Sequence, residues 1–354
     1  MRRLIIADVK SNSINGKSVG HYFSIAQNYL ELYRKVIPTY VAGGPIFKQR
    51  FANVDIFPLP FDSIVGKCSL INKWNSLKNC RYLFKHTNRD DVVVLQHSGA
   101  VTTFLGIALF APQKRNIYAI QYDTDALSSL VKKIIFRMAK NKIKGILCPN
   151  ETIGKAYGID YCCITDYIYP TFDKQLKYSL LQDKVYDFSI VGSISPDKGT
   201  VEAAAFFSNT NYKVLIAGKA NEAESAELKK IAQSSPNIEL HLGYVSDDDY
   251  KKYISSAKYC LLNYRGVYAD RSSGVVLDIL FSGIPVVGRK CNALSFIHTE
   301  NVGVLYDDIS KFNFSSIFNA STYKKLQMGL SRYLVKQKEY REKVIKFLDI
   351  ANHE

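Results

Sequence analysis

Hydrophobic and polar positions fall into short β-branched runs separated by longer stretches of helical periodicity. The first runs are RLIIADV (3–9), VIPTYVA (36–42), DVVVLQH (91–97), NIYAIQY (116–122) and GILCP (145–149). Each is nearly continuous in apolar residues, as strands buried on both faces of a parallel sheet are. Helical segments at 21–35, 70–88 and 125–142 lie between them. DIFPLP (55–60) is a weaker strand, because its two prolines cannot donate to a ladder. The pattern then restarts with FSIVGSI (188–194), KVLIAG (213–218), IELHLGYV (238–245), YCLLNY (259–264), IPVVG (284–288) and GVLYDD (303–308). From about Tyr323 the chain is helical and charged. Strands alternating with helices predict βαβ units. Two successive sets predict an α/β protein of two Rossmann-like domains, residues 1–170 and 171–322, with C-terminal helices over 323–354 that pack back toward the first domain. Ligands of such sheets bind beyond the carboxyl ends of the strands, so the expected site is a cleft between two facing domains.

The length of 354 residues exceeds one ordinary domain, and 47% hydrophobic residues exclude general disorder. No apolar run reaches the roughly 18–20 residues that span a bilayer. The N-terminal apolar run is interrupted by Asp8 and Lys10, which predicts a buried first strand of a cytoplasmic protein rather than a leader. Seven cysteines, odd in number and without a CxxC pair, read as reduced core thiols. The net charge of +15 is uneven. Residues 1–170 carry 23 Lys+Arg against 11 Asp+Glu, a balance of +12, whereas the remainder carries 24 against 21, or +3. A basic first half suits a polyanionic surface: anionic lipid, a lipid pyrophosphate or nucleic acid. No nucleic-acid recognition motif accompanies the charge, so nucleic acid is set aside. A generally lysine-rich composition is the plain alternative, but it predicts no asymmetry.

The most informative segment is NYRGVYADRSSGVVLDILFSGIPVVG (263–288). A strand ends at Tyr264, a loop follows, and Ser272-Ser273-Gly274 opens an apolar helix that Gly283-Ile284-Pro285 stops. A serine cap followed by glycine leaves backbone N–H groups at the helix N-terminus, where an anion is favoured. Asp270 precedes the helix and Asp278 lies about one turn inside it, with seven residues between. This segment resembles the retaining glycosyltransferases of family four, whose signature is two acids so spaced before a Gly-x-Pro-Val-Val stretch. Their fold is GT-B, two Rossmann-like domains. The family usually has glutamate at both positions. The resemblance implies that Asp278 holds the ribose hydroxyls of a nucleotide, that Asp270 lies near the donor sugar, and that the backbone at Ser273 and Gly274 binds a diphosphate.

A second stretch, IVGSISPDKG (190–199), is similar to the family's strand and loop that reads Gly-Arg, a few residues, then Lys-Gly. Lys198 takes the lysine place after Gly192, where it would neutralise the leaving diphosphate, while Ser193 stands where the arginine belongs. Arg271 is expected to supply the missing charge, with Arg265 also near in sequence; an ion pair with Asp270 is the plainer role for Arg271. A third stretch, LGYVSDDDYKKYISSAKYCLLNY (242–264), is similar to the family's base-contact loop, making Tyr244 and Val245 candidates. It also reads as an ordinary connection with Ser246 as helix cap and Asp247–Asp249 favouring the helix N-terminus.

The first domain matches in strand order. Its loop NSINGKSVGHY (12–22) stands where the family has a glycine-rich loop, and Gly16 and Gly20 fit close backbone approach to donor or acceptor. A phosphate-binding P-loop is excluded because position 11 is serine. His97, at a strand end, is a candidate contact for the donor sugar, or a structural histidine. Tyr122 stands at the place of a second family histidine. Asp123 and Asp125 either orient an acceptor hydroxyl or cap the helix at 125–142.

The resemblance implies transfer of a hexosyl group from a nucleotide diphosphate-sugar with retention, in surface polysaccharide assembly, the nucleotide-sugar being a substrate rather than a cofactor. No His/Cys/carboxylate cluster at ligand spacing is read in the sequence, so no metal is expected. LVKKIIFRMAKNKIKGI (130–146) interleaves Val131, Ile134, Ile135 and Met138 with Lys132, Lys133, Arg137, Lys140, Lys142 and Lys144. A second stretch holds Lys73, Trp74, Lys78, Arg81, Phe84 and Lys85. Basic amphipathic helices suit an anionic membrane surface at the inner face of the cell membrane, with a glycan or polyprenyl-linked acceptor. The ordinary alternative is a Rossmann helix with its apolar face on the sheet and its lysines in water. Two other functions compete: a non-catalytic GT-B binding protein, which Ser193 and the shortened acids favour, and a nucleotide-sugar epimerase on the same scaffold.

Overall fold

The computed structural model describes residues 2–14, 16–18, 22–64, 68–96, 99–113, 115–164, 183–270 and 273–351. The chain divides into two compact units, residues 1–171 with 337–354, and residues 172–336. Gly20, His97, Arg271 and Ser272, singled out above, lie outside the described residues, as does the stretch 169–171 between the two strand sets.

The first unit is built on seven parallel strands: β1 (Leu4–Ala7), β2 (Thr39–Gly43), β3 (Ile56–Pro58), β4 (Val92–Leu95), β5 (Asn116–Ile120), β6 (Gly145–Cys148) and β7 (Tyr161–Cys163). Their order is β3-β2-β1-β4-β5-β6-β7. Leu4 pairs with Thr39 on one side and Val92 on the other, so β1 is central and its four residues are buried on both faces. The proline-bearing run forms β3 at the sheet edge, where a missing N–H is tolerated. The edge strand β7 had no counterpart in the hydrophobic pattern; it is three residues long and half-buried.

Helices α1 (Tyr22–Tyr33), α2 (Ser69–His86) and α3 (Leu130–Lys140) cover this sheet. The segment expected as one helix over 125–142 is a 3₁₀ turn, Asp125–Leu127, followed by α3. The break falls at Ser129, whose extended backbone and hydroxyl cap the helix by accepting from the Lys132 N–H at 3.3 Å. Residues 12–18, expected as an open loop, contain a hairpin: Asn12–Ile14 pairs antiparallel with Lys17–Ser18 and parallel with Ser63–Ile64. Gly16 makes the turn at φ 71°, in the left-handed region that glycine occupies without a Cβ clash. Asp8, just past β1, is fully buried. Its Oδ1 accepts from the Lys10 and Ser11 N–H groups at 3.0 and 3.1 Å, while Oδ2 has no hydrogen-bond partner among the described residues. Burial raises this carboxyl above the ordinary value.

The second unit has six parallel strands: β8 (Tyr186–Val191), β9 (Val214–Gly218), β10 (Ile238–Leu242), β11 (Ala257–Leu262), β12 (Val286–Arg289) and β13 (Gly303–Tyr306). Their order is β10-β9-β8-β11-β12-β13. Helices α4 (Thr200–Phe207), α5 (Asp247–Ser255) and α6 (Gly274–Phe281) follow three of them. An aromatic cluster of Phe188, Phe207, Tyr259 and Phe314 fills the core beside β8. The chain ends in α7 (Ala320–Leu348), which starts within the second unit and contributes its residues from 337 onward to the first.

The cysteines of the described residues are all free thiols, with Cys80, Cys148 and Cys260 in the interior. Among the described residues, no helix is long and apolar enough to cross a membrane.

Candidate functional site

In an open parallel sheet the ligand crevice forms where the strand order reverses, at the carboxyl ends of the two strands that diverge there. In the second unit those strands are β8 and β11. The segment after β8 is Gly192–Gly199, and the segment after β11 runs from Asn263 to α6. The two motif stretches of the sequence therefore lie side by side.

Gly192 has φ 109°, and its N–H donates to Ala217 O at 3.0 Å. A Cβ added there would lie 3.2 Å from Val275 Cγ2 and 3.6 Å from Lys198 Nζ. Glycine thus leaves room at a point flanked by the first turn of α6 and the Lys198 ammonium. Lys198 ends a 3₁₀ turn, Pro196–Lys198, and Gly199 closes the turn at φ 62°. The side chain is 7% exposed, with its ammonium over the Tyr268 ring at 5.0 Å from the centroid. A cation held this deep beside helix-start N–H groups is suited to an anionic ligand.

The turn bearing Lys198 is anchored by Asn263, itself 3% exposed. Asn263 Nδ2 donates to Gly199 O at 3.0 Å and to Glu202 Oε2 at 3.1 Å, and its Oδ1 accepts from the Tyr306 hydroxyl at 3.0 Å. Glu202, on α4, also pairs with Arg265 at 2.9 Å and Arg289 at 3.8 Å. Arg265 Nε donates in addition to Pro196 O at 2.9 Å. Arg265 thus clamps the 196–199 turn.

Ser273 stands at the N-cap of α6 but does not cap it with its side chain. Its hydroxyl instead bonds the phenol of Tyr264 at 2.9 Å, a partner nine residues upstream. The serine cap read from the sequence is corrected accordingly. The first turn of α6, beginning at buried Gly274, is left without a side-chain acceptor from its N-cap residue, the condition in which a helix start takes an external anion. Burial pushes the Tyr264 phenol up, so it stays protonated. Asp278, half-buried on the same helix, accepts from the Tyr250 hydroxyl of α5 at 3.2 Å. Burial, and next the Asp278 charge, push the Tyr250 phenol up, which keeps it a donor toward that carboxylate.

The remaining candidates are more dispersed. Asp270 is exposed and accepts from Asn292 Nδ2 at 2.6 Å. Ser193 is exposed beside Gly192. Tyr244 and Val245 follow β10, with Tyr244 93% exposed, offering a free ring face, and Val245 half-buried. Ser246 caps α5 by accepting from Asp249 N at 3.1 Å, as the plain reading of that loop requires. Gly16 is exposed in the first unit, its carbonyl accepting from Gln49 Nε2 at 2.8 Å. Asp125 pairs with Lys132 at 2.7 Å, and Asp123 Oδ1 accepts from Asp125 N at 2.9 Å, so both acids serve the start of the α3 region. Asn263, Glu202, Tyr250, Tyr264 and Tyr268 were not singled out from the sequence. The Tyr264/Tyr268 spacing within a loop was the visible signal for the last two. Among the described residues, no group of three His, Cys, Asp or Glu side chains could hold a metal ion.

No protein-family model matches the chain, and no curated protein matches it. Solved structures do resemble it. The glycosyltransferase AviGT4, involved in avilamycin A biosynthesis, is 15% identical over 99% of this chain and 98% of its own, with a TM-score of 0.62. The Anabaena protein HepE, in complex with UDP and glucose, is 12% identical over 99% of this chain and 100% of its own, at 0.63. The Escherichia coli trehalose-6-phosphate protein bound with UDP-2-fluoro glucose is 10% identical over 98% of both chains, at 0.68. These likenesses give the chain an α/β fold of the GT-B kind, with parallel sheets and a helical C-terminal region.

Proposed function

We propose that the chain is a glycosyltransferase that moves a hexosyl group from a nucleotide diphosphate-sugar to a glycan or polyprenyl-linked acceptor in cell-surface polysaccharide assembly. The observation that carries this reading is the Lys198 ammonium, buried beside Gly192 and the start of α6 at the strand-order reversal of the second sheet. The UDP and UDP-sugar complexes of the structural neighbours support it.

In this reading the diphosphate lies against Gly192, Ser193 and the N–H groups at Ser273 and Gly274. Asp278, steadied by Tyr250, accepts from the ribose hydroxyls, Tyr244 and Val245 meet the base, and Asp270 lies toward the donor sugar. Breaking the sugar–phosphate bond yields an oxocarbenium-like sugar and a diphosphate. Catalysis is then chiefly electrostatic, with Lys198 and the helix start aimed at the growing phosphate charge. The acceptor attacks the same face with retention, and a phosphate oxygen takes its proton, so neither a protein base nor a metal is needed. Arg271 and His97 are proposed as the second cation and the donor-sugar contact, on sequence grounds alone.

The test is thermal unfolding with UDP, GDP, ADP and dTDP, each in EDTA and in magnesium. A ligand at 100 times its Kd adds about 2.7 kcal/mol of stability. A selective shift in EDTA is the expected result. No shift with any nucleotide would sink the reading in favour of a non-catalytic binding protein, the alternative that exposed Ser193 in the arginine place favours.

A further inference from the structure

Helices α2 and α3 both pack against the segments Ala100–Leu105 and Gly106–Phe110 on one face of the first sheet. Cys80, Leu83 and Phe84 of α2 and Phe136 and Ala139 of α3 face the common core, and Phe104 meets the Phe136 ring edge-on at 5.0 Å. Few residues remain for the inward face. On α3 only Phe136 and Ala139 are buried, while Leu130, Val131, Ile134 and Met138 are 74, 67, 49 and 53% exposed. Phe136, Ala139 and half-buried Ile135 face the core as in the ordinary arrangement, but Val131, Ile134 and Met138 point to solvent. On α2 the first turns do the same, with Leu70, Ile71 and Trp74 exposed.

The charged residues sharing this outward face are all of one sign. Lys73, Lys78, Arg81 and Lys85 lie on α2, and Lys133 and Arg137 are exposed on α3. Neither helix contains an aspartate or glutamate. A solvated helix face normally mixes both signs and carries few large apolar residues. Exposed leucine, isoleucine, valine, methionine and tryptophan among uncompensated cations instead match a boundary that is apolar within and anionic at its surface. Topology adds a direction. α2 runs down from the carboxyl edge of the sheet toward the start of β4, and α3 leaves the carboxyl end of β5 by way of residues 121–129. The exposed apolar side chains of their first turns thus cluster at the sheet edge where ligands of such folds bind.

We propose that the outward face of α2 and α3 is a docking surface for an anionic lipid bilayer, presenting the carboxyl edge of the first sheet to a lipid-linked acceptor. The inference deepens the transferase reading and rests on it for the acceptor, whereas the surface itself is tested without any transfer.

Trp74 is the single tryptophan of the chain, so its emission reports on this face alone. The full chain is mixed with vesicles of phosphatidylcholine containing about a third phosphatidylglycerol, and with vesicles of phosphatidylcholine only. The expected result is co-flotation with the anionic vesicles, a blue shift of Trp74, quenching by brominated acyl chains, and release in high salt. Lys133→Gln with Arg137→Gln should weaken partitioning about 25-fold at low salt, about fivefold for each cation removed near the surface. Val131→Gln, Ile134→Gln and Met138→Gln together should abolish the quenching while all cations remain; these positions are exposed, and an unchanged Tm verifies the fold. Absence of binding to anionic vesicles, or binding that the variants leave unaltered, would overturn the proposal. Concentration-dependent self-association lost in the triple variant, without vesicle binding, would assign the face to a second copy and equally overturn it. The nucleotide shift belongs to the second unit. Vesicle binding without that shift would sink the transferase reading and leave the docking surface standing, and the reverse pattern would do the opposite.

Discussion

Replacing Asn263 with alanine tests whether the polar hub beneath the candidate site holds the Lys198 turn. The substitution orphans one buried partner, the Tyr306 hydroxyl, which Asn263 meets at 3.0 Å, whereas the Gly199 carbonyl loses the Asn263 amide at 3.0 Å but keeps the Ala203 N–H at 3.1 Å. Glu202 keeps Arg265 at 2.9 Å and reaches solvent, so its loss counts for little. Leaving a buried polar group unsatisfied costs about 1–3 kcal/mol, so the Tyr306 hydroxyl alone predicts a loss of about 1–3 kcal/mol. For a unit of this size that is a Tm drop of about 2–12 °C, at about 2–4 °C per kcal/mol. Tyr306→Phe orphans only Asn263 Oδ1 and should cost about 1–2 kcal/mol. The double variant should fall short of the sum by about 0.5–3 kcal/mol, because the two residues share one bond. The assay is thermal unfolding of all four proteins, with and without the nucleotide that shifts the parent. Since Gly199 follows Lys198 directly, Asn263→Ala should also lower the ligand-induced shift, whereas Tyr306→Phe should leave most of it. A loss below about 0.5 kcal/mol in Asn263→Ala, or strict additivity with Tyr306→Phe, would refute the hub.

Two further outcomes are expected. Lys198→Ala should lower turnover by about 10²–10³-fold, the scale of losing one preorganised charge from a developing anion, and undiminished turnover would remove Lys198 from the chemistry. Asp8→Asn should change the pH dependence of stability. Burial raises the folded Asp8 carboxyl above its ordinary 3.8, so its stabilising contribution is complete below the unfolded value and is lost as pH rises through the folded one. The Tm of Asp8→Asn relative to the parent should therefore climb as pH rises from about 4 and then level off; a difference independent of pH would show that Asp8 does not titrate in the folded chain.

The sheets were legible because strands such as β1 and β4 are buried on both faces and read as unbroken apolar runs. β7 and the small ribbon around Gly16 were not, since three residues at an edge carry too little hydrophobic contrast. The two motif stretches pointed to the segments that flank the strand-order reversal of the second sheet. What they did not reveal is how those segments are held. Ser273 followed by glycine looks like a helix cap, yet the hydroxyl goes to Tyr264, a choice made by tertiary proximity. Asn263 read as an ordinary strand end, and only the meeting of β11, β13 and α4 makes it a hub. The sequence displayed the amphipathic composition of α3, but which side faces the sheet depends on how the Gly106–Phe110 segment fills the space beneath it.

The path of α7 bears on how the chain is made. The first unit is discontinuous: Phe347, near the end of α7, stacks edge-on with Tyr118 at 5.4 Å and lies over Gly145, where a Cβ would be 2.5 Å from its ring. Arg341 donates to Leu32 O at 3.4 Å, and Asp349 pairs with Arg2 at 3.6 Å. On the ribosome, at about 5–20 residues per second, roughly 10–35 s pass between synthesis of the last residue of the first strand set and arrival of Phe347. During that interval the intervening unit emerges whole and can finish folding, while the earlier one waits with the Tyr118 and Gly145 face unsealed. The N-terminal half is therefore the later of the two to mature, and a ribosome that stalls before α7 leaves it as the natural client of a chaperone.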